Sequence, residues 1–393
     1  MTVPRRKLKE VADFVNGKAF KPSDWSTEGV PIIRIQNLNG ANKPFNYWAG
    51  PIERQVRVKT NDLLLAWSGT PGTSFGAHIW DGPDAVLNQH IFRVDLNESV
   101  ITKSWAKFVI NARLETLIGL AHGGVGLKHV TRAMVDDLEI PVPSMAVQRR
   151  MASILEQGDA LRAKRRESLA QLDTLTQSIF VEMFGDPASN PKGWKRVLFG
   201  ELLSGIDSGW SPTCLDRPVA GVEWGVLKLG AVTWCEYNDA ENKALPPNVS
   251  PVPELEVKVG DLLFTRKNTY ELVGACALVS STRPRLLISD LIFRFRLRPS
   301  AKIDTCYLHQ LLINPSKRRE VQKLANGSSG SMPNISKGRL QTVEVEMPPS
   351  AMQSEFRSRV TRIEGLRAAQ HASLAEFENL LASLQHRAFR GEL

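Results

Sequence analysis

Val58-Lys59-Thr60-Asn61-Asp62-Leu63-Leu64-Leu65 returns about two hundred residues later as Val257-Lys258-Val259-Gly260-Asp261-Leu262-Leu263-Phe264. Each copy is a turn-forming pair followed by an apolar run short enough for a strand. Working outward, Leu138-Glu139-Ile140, a proline turn and Gln148 are matched by Val343-Glu344-Val345, a proline turn and Gln353. Each copy then enters a long helical pattern, ending at Leu175-Thr176-Gln177-Ser178-Ile179-Phe180 and at Leu384-Gln385-His386-Arg387-Ala388-Phe389. A period this long describes two whole modules rather than a solenoid. Two similar modules suit a target with two parts.

The chain of 393 residues is long enough for two or three domains with their own cores. No stretch approaches the roughly 20 apolar residues of a membrane span. The basic start Met1-Thr2-Val3-Pro4-Arg5-Arg6-Lys7 has no apolar segment behind it, so it does not read as a signal peptide. Cys214, Cys235, Cys276 and Cys306 form no C-x-x-C pair and have no histidine at zinc-ligand spacing. The expectation is a soluble cytoplasmic protein with reduced thiols and no bound metal.

Net charge is +9, and its placement is more informative than its size. Residues 1–143 carry 17 basic and 14 acidic side chains, residues 185–349 carry 21 and 17, and segments 144–184 and 350–393 carry 6 and 5 each. The excess therefore falls on the globular parts, as phosphate binding would require, although many unrelated proteins share such a balance.

Short β-like runs separated by Gly, Pro and Asn occur at 30–35, 63–67 and 90–94, and again at 225–229, 262–265 and 291–297. The last alternates apolar and basic residues like a half-exposed strand. Helical patches follow at 104–118 and 306–324. The fold class expected is α+β: two mixed α/β domains, 1–143 and 195–349, with long helices at 144–184 and 350–393 and a turn-rich linker at 185–194.

The long helices carry heptad spacing. The first seam reads Met151, Ile154, Leu161, Leu172, Leu175 and Ile179, with Gly158, Arg165 and Ser168 between. The second reads Phe356, Val360, Ile363, Leu374, Phe377, Leu381 and Leu384, with Arg367 and Gln370 between. Sustained 3–4 spacing argues for a coiled coil. About 40 residues make a rod of roughly 60 Å, longer than one such domain is wide. Central polar seam positions meet in either orientation, and connectivity helps to choose. The first helix delivers the chain to the second domain; if the second helix returns toward the first, the pair is antiparallel, and that arrangement with a pseudo-twofold repeat is the one expected.

Catalytic text is sparse. Gly123-Gly124-Val125-Gly126-Leu127-Lys128 lacks the spacing and the Ser/Thr of a phosphate loop. There is no G-x-G-x-x-G, no Asn-Pro-Pro-aromatic stretch and no H-E-x-x-H, so the chain is not expected to be an enzyme.

The doubled layout resembles the specificity subunit of type I restriction–modification enzymes over essentially the whole chain. The sharpest pieces are 17–25 (GKAFKPSDW), Gly260-Asp261-Leu262-Leu263-Phe264-Thr265-Arg266, Phe180-Val181-Glu182-Met183-Phe184-Gly185-Asp186-Pro187 and Arg387-Ala388-Phe389-Arg390-Gly391-Glu392-Leu393. The resemblance implies two target-recognition domains, each reading one half of an interrupted double-stranded DNA sequence. Paired helices would act as a ruler and dock two modification (methyltransferase) subunits, to which restriction subunits join. S-adenosylmethionine, ATP and Mg²⁺ would belong to those partners.

DNA contacts are expected from polar or basic residues in the loops after the shared strands. In the first module these are Trp67, Ser68 and Thr73, then Lys128, His129 and Arg132. In the second they are Arg266, Lys267, Asn268 and Tyr270, then Ser328, Ser329, Asn334 and Lys337. Arg and Lys can pair with guanine edges and Asn with adenine, others holding phosphate. Trp67 reads equally well as a core aromatic. The alternative function is a coiled-coil scaffold for protein interaction, with no DNA specificity.

Overall fold

The computed structural model describes residues 3–39, 43–69, 75–113, 118, 128–326 and 332–392, in an α+β chain with mixed sheets. Two compact units emerge: Met1–Arg166 with Ala372–Leu393, and Glu167–His371.

In unit 1 the quoted strand, Leu63–Ala66, lies inside a four-stranded antiparallel sheet between Ile91–Leu96 and Gly76–Ile79, with Ala12–Asn16 beyond. Successive side chains of a strand face opposite ways. Leu63 and Leu65 enter one core with Trp105, Val109 and Ile110 of helix Lys103–Ala112, and Leu64 and Ala66 enter another with Ile33, Trp80 and Leu87. Burial on both faces is why the run is continuously apolar. The second sheet sets Val30–Ile33 parallel to Ala85–Leu87.

Unit 2 repeats this construction within itself. Leu262–Thr265 lies between Ile292–Leu297 and Cys276–Leu278, with Leu203–Ser208 outermost. Leu262 and Phe264 face one core and Leu263 the other. Gly225–Leu227 runs parallel to Leu286–Leu287. The turn before each strand is the same device. Asn61 has φ 73° and Gly260 φ 91°, a region that asparagine and glycine tolerate best. The next carboxylate, Asp62 or Asp261, accepts from the amide of Lys59 (2.8 Å) or Lys258 (2.9 Å).

The two shared glutamines explain themselves. Gln148 is fully buried; it donates to the Val100 and Pro143 carbonyls, both at 2.8 Å, and accepts from the Thr102 amide at 2.9 Å. Gln353 donates to Pro348 (2.8 Å) and Lys302 (3.2 Å) and accepts from Asp304 (2.7 Å). Each clamps the first turn of a long helix, Met145–Phe184 or Ser350–Arg390, to the residues that start the helix packed on the sheet.

Within unit 1 the helices meet with Gly158 against Leu381, where a Cβ at 158 would come within 2.6 Å of Leu381 Cδ1. Arg165 donates to the Ser373 hydroxyl and lies over the Phe377 ring, and Arg166 pairs with Glu378 at 2.6 Å. Within unit 2, Phe356 packs edge-on against Phe180 and Phe184. The structure buries Phe356, Val360, Ile363 and Leu381 and half-buries Leu374, Phe377 and Leu384.

Two sequence expectations need correction. Ile154, Leu161 and Leu175 are 38%, 51% and 40% exposed. The first helix instead turns Met151, Leu155, Gly158, Arg162, Arg165, Leu169, Leu172, Thr176 and Ile179 inward, so alternate seam positions fall one residue later, and Ser168 is exposed. Both phases preserve the 3–4 rhythm. The buried one includes a glycine at 158 because Leu381 opposite needs the room. The 291–297 run is not half-exposed at Arg294, which is 1% exposed. Its guanidinium reaches Asp207 at 2.9 Å, Asp261 at 3.1 Å and the carbonyls of Glu256 (2.7 Å) and Glu254 (2.6 Å). The helical patch expected over 306–324 is made of two helices, Thr305–Ile313 and Pro315–Gln322. Pro315 pushes Asn314 out of the helical region, and the Asn314 side chain caps the second helix.

Candidate nucleic-acid interface

In unit 2 the strand ending at Thr265 runs into Arg266-Lys267-Asn268. The Ile335 amide donates to the Arg266 carbonyl at 2.8 Å, and Lys267 bridges to Asn334. The two loops expected to carry recognition are thereby joined, and helix Lys337–Gln341, capped by Ser336, begins beside them. Phe293 of the neighbouring strand supplies a platform. The Arg266 guanidinium lies over its ring at 5.4 Å and the Lys337 ammonium at 5.6 Å, with Lys337 also donating to the Ile206 carbonyl at 2.6 Å. Two cations on one buried ring make a basic, sterically defined spot suited to an anionic or electronegative ligand edge.

Unit 1 has the corresponding geometry with different chemistry. The Val130 amide donates to the Trp67 carbonyl at 3.0 Å, as Ile335 does to Arg266. The Trp67 indole stacks on Phe92 at 5.6 Å, as Arg266 covers Phe293. Ser68–Gly69 pairs with Lys128–His129 through the backbone, which is the part of Lys128 and His129 the structure describes. Arg132 stands 54% exposed, 3.5 Å from Asp136.

The structure therefore brings together Arg266, Lys267, Asn334 and Lys337 in one unit, and Trp67 with the strand at 128–129 in the other. Tyr270 is exposed, and its carbonyl accepts from Gln322 at 3.4 Å. Two candidates are displaced from a contact role. Asn268 is buried, donating to the Thr233 hydroxyl at 3.2 Å and accepting from the Thr269 amide at 2.8 Å. Ser68 is only 3% exposed. Thr73, Ser328 and Ser329 lie outside the described residues. The rings of Phe92 and Phe293 were missed, although each stands at a matching place in its strand, opposite Leu65 and Phe264.

Residues 2–172 match the family described as the type I restriction modification DNA specificity domain. The chain is 25% identical to the EcoBI specificity subunit of Escherichia coli, over 99% of this chain and 86% of that one. Residues 2–172 thus carry the match to the type I DNA specificity domain, and similarity to specificity subunits extends over nearly the whole chain. Other specificity subunits are also similar. That of EcoKI from E. coli strain K12 is 25% identical, covering 98% of this chain and 88% of its own. That of EcoEI is 38% identical over 168 residues, 42% of this chain but only 28% of the relative's length. In fold, the chain is similar to the type I S subunit of M. genitalium (TM-score 0.56, 13% identity, 98% and 96% of the two chains). It is similar as well to a chain from a study of assembly and conformational transition in a type I system (TM-score 0.59, 18% identity, 100% and 98%). Among the described residues no helix is long and apolar enough to cross a membrane.

Proposed function

We propose that this specificity subunit recognises one bipartite double-stranded DNA sequence for a type I restriction–modification complex. Each unit contributes one target-recognition domain and reads one half-site. The observation that carries this reading is the repeated scaffold with unlike side chains at its rim. The strand, its turn and the glutamine clamp recur, whereas Trp67 stands where the second unit has Arg266.

The long helices form an antiparallel coiled coil in this account. The contacts of Gly158 with Leu381, of Arg165 with Ser373 and of Arg166 with Glu378 support that direction. Partners dock along the pair: two modification subunits, with restriction subunits joining them. Ile154, Leu161, Leu175, Leu366 and Leu380 are large apolar side chains left exposed on these helices, which suits such docking. S-adenosylmethionine, ATP and Mg²⁺ are bound by the partners, and the chain itself is not a catalyst.

The test is binding by the chain assembled with its methyltransferase subunits. Affinity should fall steeply with log salt and should require both half-sites at one spacing. Equal affinity for any duplex would favour the scaffold reading.

A further inference from the structure

Several arginines of unit 2 have acceptors for their guanidinium groups. Arg294 binds two carboxylates and two carbonyls and Arg296 binds Asp207 at 2.8 Å, while Arg283 leaves its Nε without an acceptor but anchors both terminal nitrogens on the Val219 and Gly221 carbonyls at 3.1 and 2.8 Å. Arg266 differs. Among the described residues it has no acidic or carbonyl partner, and its Nε is out of water with no acceptor. It is nonetheless held in place: the Ile335 amide fixes its carbonyl, and its guanidinium rests on Phe293, a ring only 1% exposed. A half-buried guanidinium held in one orientation, with its terminal nitrogens unclaimed by the protein, is free to offer them to a ligand's acceptors.

Two features favour a base over a phosphate. Phosphates are the same in both half-sites, so a position that only holds the backbone has no reason to differ between the two units. This position does differ, Trp67 on Phe92 in one and Arg266 on Phe293 in the other. The same ring also carries Lys337, a point charge that can serve the phosphate by itself. The planar fork is then left for a rigid pair of acceptors side by side, and in the major groove guanine presents O6 and N7 in that pattern.

We infer that Arg266 reads a guanine, through O6 and N7, in the half-site recognised by unit 2, with Trp67 leaving the corresponding position of the other half-site without that contact. The inference rests on the function proposed above. Its test maps methylation in cells carrying the full complex with wild-type chain, R266A or R266K. The wild-type motif should contain a G·C pair in one half-site that becomes degenerate in R266A, with cognate affinity about 5- to 150-fold weaker and the other half-site unchanged. R266K should not restore selectivity, because an ammonium lacks the fork. In binding assays with the wild-type complex, 7-deazaguanine at that one position should weaken binding comparably, so the inference remains testable if a variant does not fold. Uniform loss across all sequences, full rescue by R266K, loss at both half-sites, or indifference to 7-deazaguanine at every guanine would each overturn it. A wild-type complex with no bipartite preference would instead defeat the functional reading itself.

Discussion

Replacing Gln353 by leucine tests the construction that the two units share. Leucine is close to glutamine in size, so little cavity opens, but three backbone groups lose their partners together. The Asp304 amide loses an acceptor at 2.7 Å, and the Pro348 and Lys302 carbonyls lose donors at 2.8 and 3.2 Å. The site is 1% exposed, so water does not replace them. At about 1–3 kcal/mol for each buried orphan, with carbonyls near the lower end, the expected loss is about 3–5 kcal/mol. Gln148→Leu should cost unit 1 a similar amount, since it orphans the Thr102 amide and the Val100 and Pro143 carbonyls. Hydrogen exchange read by mass spectrometry assigns the damage, because Q353L should deprotect peptides around Asp304 and Q148L those around Thr102. Denaturant midpoints supply the magnitude. The pairs share no partner, so the double variant should lose the sum to within about 0.5 kcal/mol. A loss under about 1 kcal/mol, or protection unchanged at Asp304, would refute the clamp.

Other expectations follow from particular side chains. Leu155→Ala should cost about 2–5 kcal/mol and Ile154→Ala under about 1 kcal/mol in thermal or denaturant unfolding, the reverse of what the spacing alone suggests, since Leu155 is 1% and Ile154 38% exposed. Lys337→Ala should weaken DNA binding by the assembled complex equally across sequences and reduce the salt slope by about 0.9, as a shift in sequence preference would not. Burial holds His309 below its ordinary range, against the opposing pull of the Cys235 and Cys276 carbonyls that accept from it. The imidazole therefore stays neutral in the fold while the unfolded chain protonates below pH ~6.5. Its contribution is complete above that pH and is lost as pH falls through it, so His309→Gln should flatten the stability difference between about pH 8 and about pH 5.5. Deleting one helical turn from each long helix removes ~6 Å and should shorten the tolerated spacer by one or two base pairs of ~3.4 Å. A methylation map of that variant with the spacer unchanged would remove the ruler from the account.

Much of the scaffold is visible in the sequence because it obeys local rules. The Asn61 and Gly260 turns are set by a few neighbouring residues, and the strands after them and the two glutamines stand out as text that recurs in both modules. What escapes depends on tertiary surroundings. Arg294 looks like a solvent-facing basic residue until Asp207, Asp261 and two carbonyls surround it. The seam of the first helix is ambiguous because leucines and isoleucines stand on adjacent faces, and only the partner helix shows that Gly158 rather than Leu161 is inward. At the candidate interface, Arg266 and Lys337 are 71 residues apart in sequence, and the ring that joins them belongs to a third segment. Asn268 shows the opposite error, a recognition-type residue spent on an internal hydrogen bond.

The central claim is that two copies of one scaffold read two different half-sites. Sequencing of methylated bases in cells expressing the wild-type complex tests it most directly. The account predicts a single motif of two unlike specified halves separated by unspecified base pairs of fixed number. A continuous motif, two identical halves, or methylation without sequence preference would contradict it.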